Sequence, residues 1–479
     1  MSCPLALIRA DASTRIGTGH VMRCLVLAGA LQGMGWRVTF VTRELEGNLN
    51  ARIESEGFEV INLKAPDEEG LTAIIGQEAP ELLIIDHYGI GRQTEQAVRE
   101  ATGIKLVVID DTFEPHACDA LINQNIYANA EAYKGLVPKT CTLFCGAAYA
   151  LLRPEFRSLP EPSQSRNEIP TLLITLGGSD PHNQTLRILE ALENVSGLLK
   201  TMVVVGAANP HADTLQQYIQ NFRHHHELLR GVSHMGALMA QADAAITAGG
   251  STTIETLVMR LPSIVVGIAE NQRLILEALE AKGLARVVRA DDNAFSSRLA
   301  EALKTVLEAP EGMLAAMEEL AIGKGWGALC GYLGMTLEPV SAEDSDKLFL
   351  LANDPAVRSA SFHSGAISKE EHVRWFKGVL EDKNRRLYCY QTGDTFAGQF
   401  RLDREGDQAE VSFSIAPEVR GKGWAAGMLL LGCEKAVTLG ISRLVARIKR
   451  DNVASLKSFS GAGFKTIEEG EIITMEKNL

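Results

Sequence analysis

A histidine behind a glycine-rich turn is the first reactive group along the chain. The stretch Ile8-Arg-Ala-Asp-Ala-Ser-Thr-Arg-Ile-Gly-Thr-Gly-His20-Val-Met-Arg23 runs from an apolar, strand-like segment into a helical one. Gly17 and Gly19 let the backbone turn tightly and approach a ligand. The spacing puts His20 in the first helical turn. There the positive dipole end disfavours imidazolium, so a neutral base stays available near pH 7. The competing reading is a loop histidine that only hydrogen-bonds its own turn, since GxG after a strand is a weak signal.

Asp86-His87-Tyr88-Gly89 closes another strand-like run, and Asp110-Asp111 closes the next. Singly, each pair reads as a turn former. Jointly, polar clusters at successive strand ends point to a shared crevice, because ligands sit beyond the carboxyl ends of an open sheet. Farther on, Thr247-Ala-Gly249-Gly250-Ser251-Thr-Thr-Ile-Glu255 again passes from strand to helix. Amides at such a helix start suit a pyrophosphate. Ser251 and Glu255, four apart, share one face: a hydroxyl for phosphate, and a carboxylate for ribose hydroxyls. The alternative is a plain helix start with Ser251 as N-cap. Gly177-Gly178-Ser179-Asp180 is a second glycine-rich turn, and Asn271-Gln272 opens a further helix. The run His224-His225-His226 lacks ligand spacing on one face and is expected to be a solvated loop; no metal site is expected.

Apolar runs at Leu5–Ile8, Val38–Val41, Glu59–Asn62, Leu82–Asp86 and Leu106–Asp110 read as strands, with helical periodicity between them, as at Val21–Leu31. The pattern restarts after a proline-rich linker at Leu159–Pro170, with strands at Leu172–Leu176, Met202–Val205, Ala244–Thr247 and Ile264–Val266. Alternating strands and helices predict two doubly wound parallel sheets, over residues 1–158 and 170–330. Beyond Thr336–Ser341 the character changes to strand pairs at Arg386–Gln391, Thr395–Leu402 and Ala409–Ala416, the first two joined by the hairpin turn Gln391-Thr392-Gly393-Asp394. A separate domain over 335–479 follows.

The 479 residues carry 47 basic and 60 acidic side chains, a net charge of −13, which argues against a nucleic-acid binder. From Met335 onward the charges nearly balance, at 20 basic and 21 acidic. No apolar stretch approaches a membrane helix, and the start MSCPLALIRAD lacks a basic n-region. Eight cysteines show no CxxC spacing, so neither disulfides nor structural zinc are expected. These features predict a cytoplasmic protein.

The motifs RADASTRIGTGHVMRCL, DHYGI (86–90), DD (110–111), GLVP (135–138), ALLRPEF (150–156) and TLGGSD together resemble the nucleotide-sugar hydrolases of pseudaminic acid biosynthesis, over about residues 4–330. That family is similar to GT-B glycosyltransferases, with two Rossmann-like halves. The resemblance implies metal-free hydrolysis of UDP-2,4-diacetamido-2,4,6-trideoxy-β-L-altropyranose at C1, with His20 catalytic. The expected UDP-sugar contacts are Gly17, Thr18, Gly19, Arg23, Asp86, Tyr88, Gly177, Gly178, Gly250, Ser251, Glu255, Asn271 and Gln272.

The segment from Glu410 through Phe413 and Ile415 to Arg420-Gly421-Lys422-Gly423-Trp424-Ala425 resembles motif A of the GNAT acetyltransferases. Consecutive amides at that helix start suit the pyrophosphate of acetyl-CoA, and basic side chains at 420 and 422 add attraction. Asn452 and Ser455 match the family's cofactor-arm residues. Glu410 is the candidate base, through a water, against a solvent-facing strand glutamate. Phe459 stands where family members carry a tyrosine acid and has no hydroxyl to give. The expected whole is an α/β chain: two Rossmann-like halves, GT-B-like, then an α+β GNAT domain. Its expected activities are 4-N-acetylation of the UDP-amino sugar and hydrolysis of the product. Glycosyl transfer, epimerisation or a non-catalytic sensor are the alternatives.

Overall fold

The computed structural model describes residues 3–157, 169–177, 180–206, 209–232, 234–393 and 395–479. Most of the expected linker, together with Gly178, Ser179 and Asp394, lies outside them. The chain divides into two compact units. One holds Ala6–Ala28 and Val38–Lys324; the other holds Gly29–Arg37 and Gly325–Leu479 with the described residues up to Leu5.

The larger unit contains two sheets. The first comprises β1 (Leu5–Ala10), β2 (Arg37–Thr42), β3 (Glu59–Asn62), β4 (Leu82–Asp86), β5 (Lys105–Ile109), β6 (Ala120–Asn123) and β7 (Thr142–Cys145), in the order β3-β2-β1-β4-β5-β6-β7. The second comprises β8 (Thr171–Thr175), β9 (Lys200–Val205), β10 (His225–Arg230), β11 (Ala244–Ala248), β12 (Ser263–Gly267) and β13 (Arg286–Arg289), in the order β10-β9-β8-β11-β12-β13. Near-continuous apolar strands such as LLIID suit parallel sheets, which are covered on both faces. Both sheets reverse their strand order beside their first strand, between β1 and β4 and between β8 and β11. Ligands of doubly wound sheets bind at such points. Ile126 and Ala147, from the end of the first half, are buried in the core of the second sheet.

The expected loop at His224–His226 is corrected. His225 and His226 begin β10, and His224 is buried, with Nδ1 accepting from the Leu199 amide at 3.2 Å and Nε2 3.0 Å from the Leu192 carbonyl. A histidine whose ring nitrogens are both bonded fills a core position as well as an apolar side chain.

Seven helices matter below: α1 (Gly19–Gln32), α2 (Ser251–Val258), α3 (Arg273–Ala281), α4 (Trp326–Gly334), α5 (Pro355–Ala360), α6 (Trp424–Thr438) and α7 (Val453–Gly461). The smaller unit's sheet has β14 (Thr336–Pro339), β15 (Arg385–Thr392), β16 (Thr395–Glu405), β17 (Gln408–Ile415), β18 (Arg443–Lys449), β19 (Lys465–Glu468) and β20 (Ile472–Asn478), in the order β14-β15-β16-β17-β18-β20-β19.

The main segment of this unit starts at Gly325, ahead of the Met335 where the composition changes, because α4 packs on α6 with no room for side chains. A Cβ on Gly327 would run into the carbonyl of Lys422 and lie 2.7 Å from the Cα of Gly423. One on Gly427 would lie 2.6 Å from the Ala328 carbonyl. Buried Tyr390 ties the seam, donating its hydroxyl to the Gly331 carbonyl at 2.8 Å. The Trp36 indole N–H caps α4 at the Gly334 carbonyl, 2.9 Å away. A fragment starting at Met335 leaves the Tyr390 hydroxyl without its Gly331 acceptor and uncovers α6. It should therefore unfold at lower urea than a fragment starting at Gly325. Coincident urea midpoints for the two fragments would remove α4 from the folded unit.

Candidate active sites

The first constellation stands at the β1/β4 switch point. Gly17, at φ +83°, turns the loop after β1, and α1 starts at Gly19. His20, on the first turn, is 7% exposed; its Nδ1 lies 3.7 Å from Asp86 Oδ1 and has no hydrogen-bond partner among the described residues. The Tyr88 ring meets it edge-on with centroids 4.6 Å apart, and is itself exposed. One turn along α1, Arg23 grips Asp86 through Nε and Nη2, both at 2.6 Å, and Asp111 through Nη1 at 2.9 Å. Burial pushes the His20 imidazole below its ordinary range, against the pull of Asp86. For Asp86, burial favours the neutral acid, but Arg23 wins and holds the carboxyl below the usual range. The result is a neutral imidazole beside a fixed carboxylate.

The ambiguity over Asp110 and Asp111 resolves into one role each. Asp110 forms the turn, accepting from the Thr112 amide at 3.0 Å, the Phe113 amide at 2.9 Å and the Tyr133 hydroxyl at 2.5 Å. Asp111 is the arginine partner. Behind them, His116 lies 2.6 Å from Glu95 and 3.8 Å from Asp110. Burial opposes its protonation, but the two carboxylates push it up to about 10, so it is an imidazolium at neutral pH. A second layer, equally missed by motif reading, is Arg9. It is fully buried, bonded to Asp11 at 2.8 Å and to Asp67 at 2.6 Å, while Asp11 also receives His87 Nε2 at 3.2 Å. The signal was available: an arginine inside the apolar run LALIRA demands buried anions.

At the β8/β11 switch point stand Gly177 and Gly249–Gly250. Gly250 is the N-cap of α2 and Ser251 its exposed first residue, so the Ser251 cap reading is corrected: no side chain caps this helix. A Cβ on Gly250 would meet nothing within 4 Å, leaving open approach to the helix amides. Gly249 is closely packed, since a Cβ there would sit 3.2 Å from that of Gln272. Gln272 spends its side-chain oxygen on the Ile268 amide, at 3.0 Å, while Asn271 is exposed. Glu255 is buried and paired to Arg153 at 2.9 Å.

In the smaller unit β17 and β18 pair in parallel only from Gln408–Glu410 to Arg443–Val445, then part. Phe413 and Ile415 therefore lie on a strand whose β18 side is unpaired, beside the start of α6. Gly421 and Gly423, at φ +78° and +76°, wind Arg420–Ala425 into a turn that ends as the N-cap of α6. The first amides of a helix have no intrahelical acceptor, so the turn and the open strand edge together suit a long diphosphate with an amide-bearing arm. Arg420 itself is ion-paired to Asp354, the N-cap of α5, at 2.5 Å. Lys422 lies over the Trp424 ring at 4.9 Å. Asn452 caps α7 by accepting from the Ser455 amide at 3.2 Å. Glu410 sits where the strands part, but Arg447 donates to both its oxygens, at 3.0 and 2.8 Å. Phe459 is buried between Phe413 and Phe464, at 5.5 and 4.9 Å.

Among the described residues no group of three or more histidine, cysteine or acidic side chains is placed to hold a metal ion, and no helix is long and apolar enough to cross a membrane. The chain is 34% identical over 282 residues to the UDP-2,4-diacetamido-2,4,6-trideoxy-β-L-altropyranose hydrolase of Campylobacter jejuni, covering 58% of this chain and 96% of the relative. It belongs to that hydrolase family. A Helicobacter pylori protein, named as a pseudaminic acid cytidylyltransferase and the same hydrolase, is 24% identical over 58% of this chain and 47% of its own length. An uncharacterised protein of Methanocaldococcus jannaschii is 25% identical over 96% of both chains. Residues 171–324 match the glycosyltransferase family 28 C-terminal domain, and residues 335–465 match the acetyltransferase (GNAT) domain. The chain thus fuses a hydrolase-family enzyme to an acetyltransferase domain.

In the hydrolase portion the Arg23 clamp gives a stability prediction. Asp86→Asn leaves a buried guanidinium short of one carboxylate and should cost about 3–5 kcal/mol in urea unfolding. An unchanged midpoint would show that Asp111 alone neutralises Arg23.

Proposed function

We propose that the chain carries out two successive steps on one UDP-sugar. The GNAT domain acetylates the 4-amino group of UDP-4-amino-4,6-dideoxy-N-acetyl-β-L-altrosamine with acetyl-CoA. The hydrolase portion then cleaves the product, UDP-2,4-diacetamido-2,4,6-trideoxy-β-L-altropyranose, at C1, as in pseudaminic acid biosynthesis. The single observation that carries the hydrolytic half is a neutral, buried His20 with an unpartnered ring nitrogen beside an exposed Tyr88. In the proposed step a water oxygen bonds to C1, His20 takes the water's proton, and the C1–O bond breaks with its electrons going to UDP. Arg23 and Asp86 hold the histidine in place. Gly17, Thr18, Gly19 and Tyr88 line the sugar side. Gly177, Gly250, Ser251, Glu255, Asn271 and Gln272 hold UDP. Nothing in this chemistry calls for a metal.

In the acetyl transfer the amine nitrogen bonds to the thioester carbon and the C–S bond breaks. The coenzyme thiolate then takes a proton from water, since Phe459 has none to give. Acetyl-CoA lies along Phe413, Ile415 and Arg420–Ala425, with Asn452 and Ser455 on its arm. Glu410 accepts the amine proton through a water, which requires Arg447 to yield one oxygen. Both substrates are charged nucleotides, which fits a cytoplasmic enzyme. The family 28 match favours one rival, transfer of the sugar to an acceptor.

Product analysis by NMR, with the UDP-amino sugar and acetyl-CoA, should show free diacetamido sugar and UDP without any acceptor. An absolute need for an acceptor would favour the transferase. His20→Ala should slow UDP release about 10²–10⁴-fold while acetyl transfer continues. Because His20 is held below its ordinary range, wild-type release should fall on acidification with a midpoint below the ordinary imidazole value of about 6.5. Conversely, Gly423→Val should stop acetyl transfer and spare UDP release, since a side chain there meets the Gly327 backbone at 3.0 Å and blocks the turn. If Gly423→Val keeps wild-type acetyl transfer, the coenzyme does not use this turn.

A further inference from the structure

Arg153 sits in the segment that leaves the first sheet, two residues before Glu155 and outside every motif role assigned above. Its Nε donates to Glu255 Oε1 at 2.9 Å, and its Nη1 meets Glu155 Oε1 at 3.0 Å. The guanidinium lies over the Phe156 ring, 5.0 Å from its centroid. Glu155 is itself fixed, with Oε2 accepting from the Gly236 amide at 3.2 Å. Glu255 is 9% exposed and stands on α2, one turn beyond the open amides at Gly250–Ser251. Two charged groups face it, Arg153 and Glu155, with opposite effects. Among the described residues, Glu255 Oε2 takes no hydrogen bond, so it remains for a ligand.

We propose that Arg153 is a positioning residue for nucleoside diphosphate recognition, holding Glu255 ionised and turned so that Oε2 faces the ribose hydroxyls. This rests on the proposed placement of UDP at α2. The physical need is plain. Burial pushes the Glu255 carboxyl up, the Glu155 charge pushes the same way, and Arg153 opposes them without fully cancelling the rise. A carboxylate accepts from two vicinal hydroxyls, whereas a neutral acid loses one acceptor site and half-buries an acidic proton. Without Arg153 the Glu255 carboxyl rises further, so it takes up a proton at a higher pH than in the wild type, and UDP affinity falls with it.

The test is calorimetric titration of the full chain with UDP from pH 6 to 8.5, for wild type, Arg153→Gln, Arg153→Lys and Glu255→Gln. Wild type should bind with little pH dependence. Arg153→Gln should bind close to wild type at pH 8.5 and weaken about tenfold for each pKa unit by which Glu255 rises above the working pH. Arg153→Lys should restore the flat profile, and Glu255→Gln should bind weakly at every pH. A uniform loss in Arg153→Gln, with no pH dependence, would overturn the positioning role and leave a structural one. Unchanged UDP affinity in Glu255→Gln would instead overturn the placement of UDP at this helix, whatever Arg153 does.

Discussion

One buried guanidinium organises the β1/β4 switch point of the hydrolase portion. Arg23 is a long cation with little access to water, and burying it is tolerable only with two carboxylates in bonding geometry. Asp86 ends β4 and Asp111 follows β5, so satisfying Arg23 fixes the end of β4 and the loop after β5 against the first turns of α1. His20 lies three residues earlier on the same helix and inherits that placement. The histidine needs no hydrogen bond of its own to be aimed, which leaves its Nδ1 available. Burial in the same place keeps a proton off the ring, with a smaller contribution from the Arg23 charge against the pull of Asp86.

Much of this was legible in the sequence. Strand-helix alternation gave both parallel sheets, and glycine turns after β1, β8 and β11 fell at the two points of reversed strand order. What the sequence hid were pairings between residues far apart in the chain. Nothing near Glu255 in sequence announces Arg153, and nothing near Glu410 announces Arg447, because ion pairs are made by the fold and not by local spacing. Edge strands such as β10 and β19 also escaped notice, since their exposed, polar sequences HHELLR and KTIE lack an apolar run. His224 was misread for a related reason: a polar ring counts as a surface residue until its two backbone partners are known.

The two helix starts proposed to take a diphosphate both have glycine caps. At α2 the cap is Gly250 and approach is open. At α6 the cap is Gly423, whose far side is closed by the backbone of α4. The first arrangement tolerates change on its outer face, whereas the second is walled by main chain on one side. Main-chain walls do not relax as side chains do, so the turn before α6 is the stiffer of the two.

The smaller unit is also discontinuous in sequence, and that bears on how it is made. Met34 and Trp36 emerge from the ribosome early, yet Gly334, the group both meet, is synthesised some three hundred residues later. At roughly 5–20 residues per second, that interval lasts about 15–60 s. Vectorial synthesis therefore leaves residues 29–37, the early segment of the smaller unit, waiting for the last third of the chain.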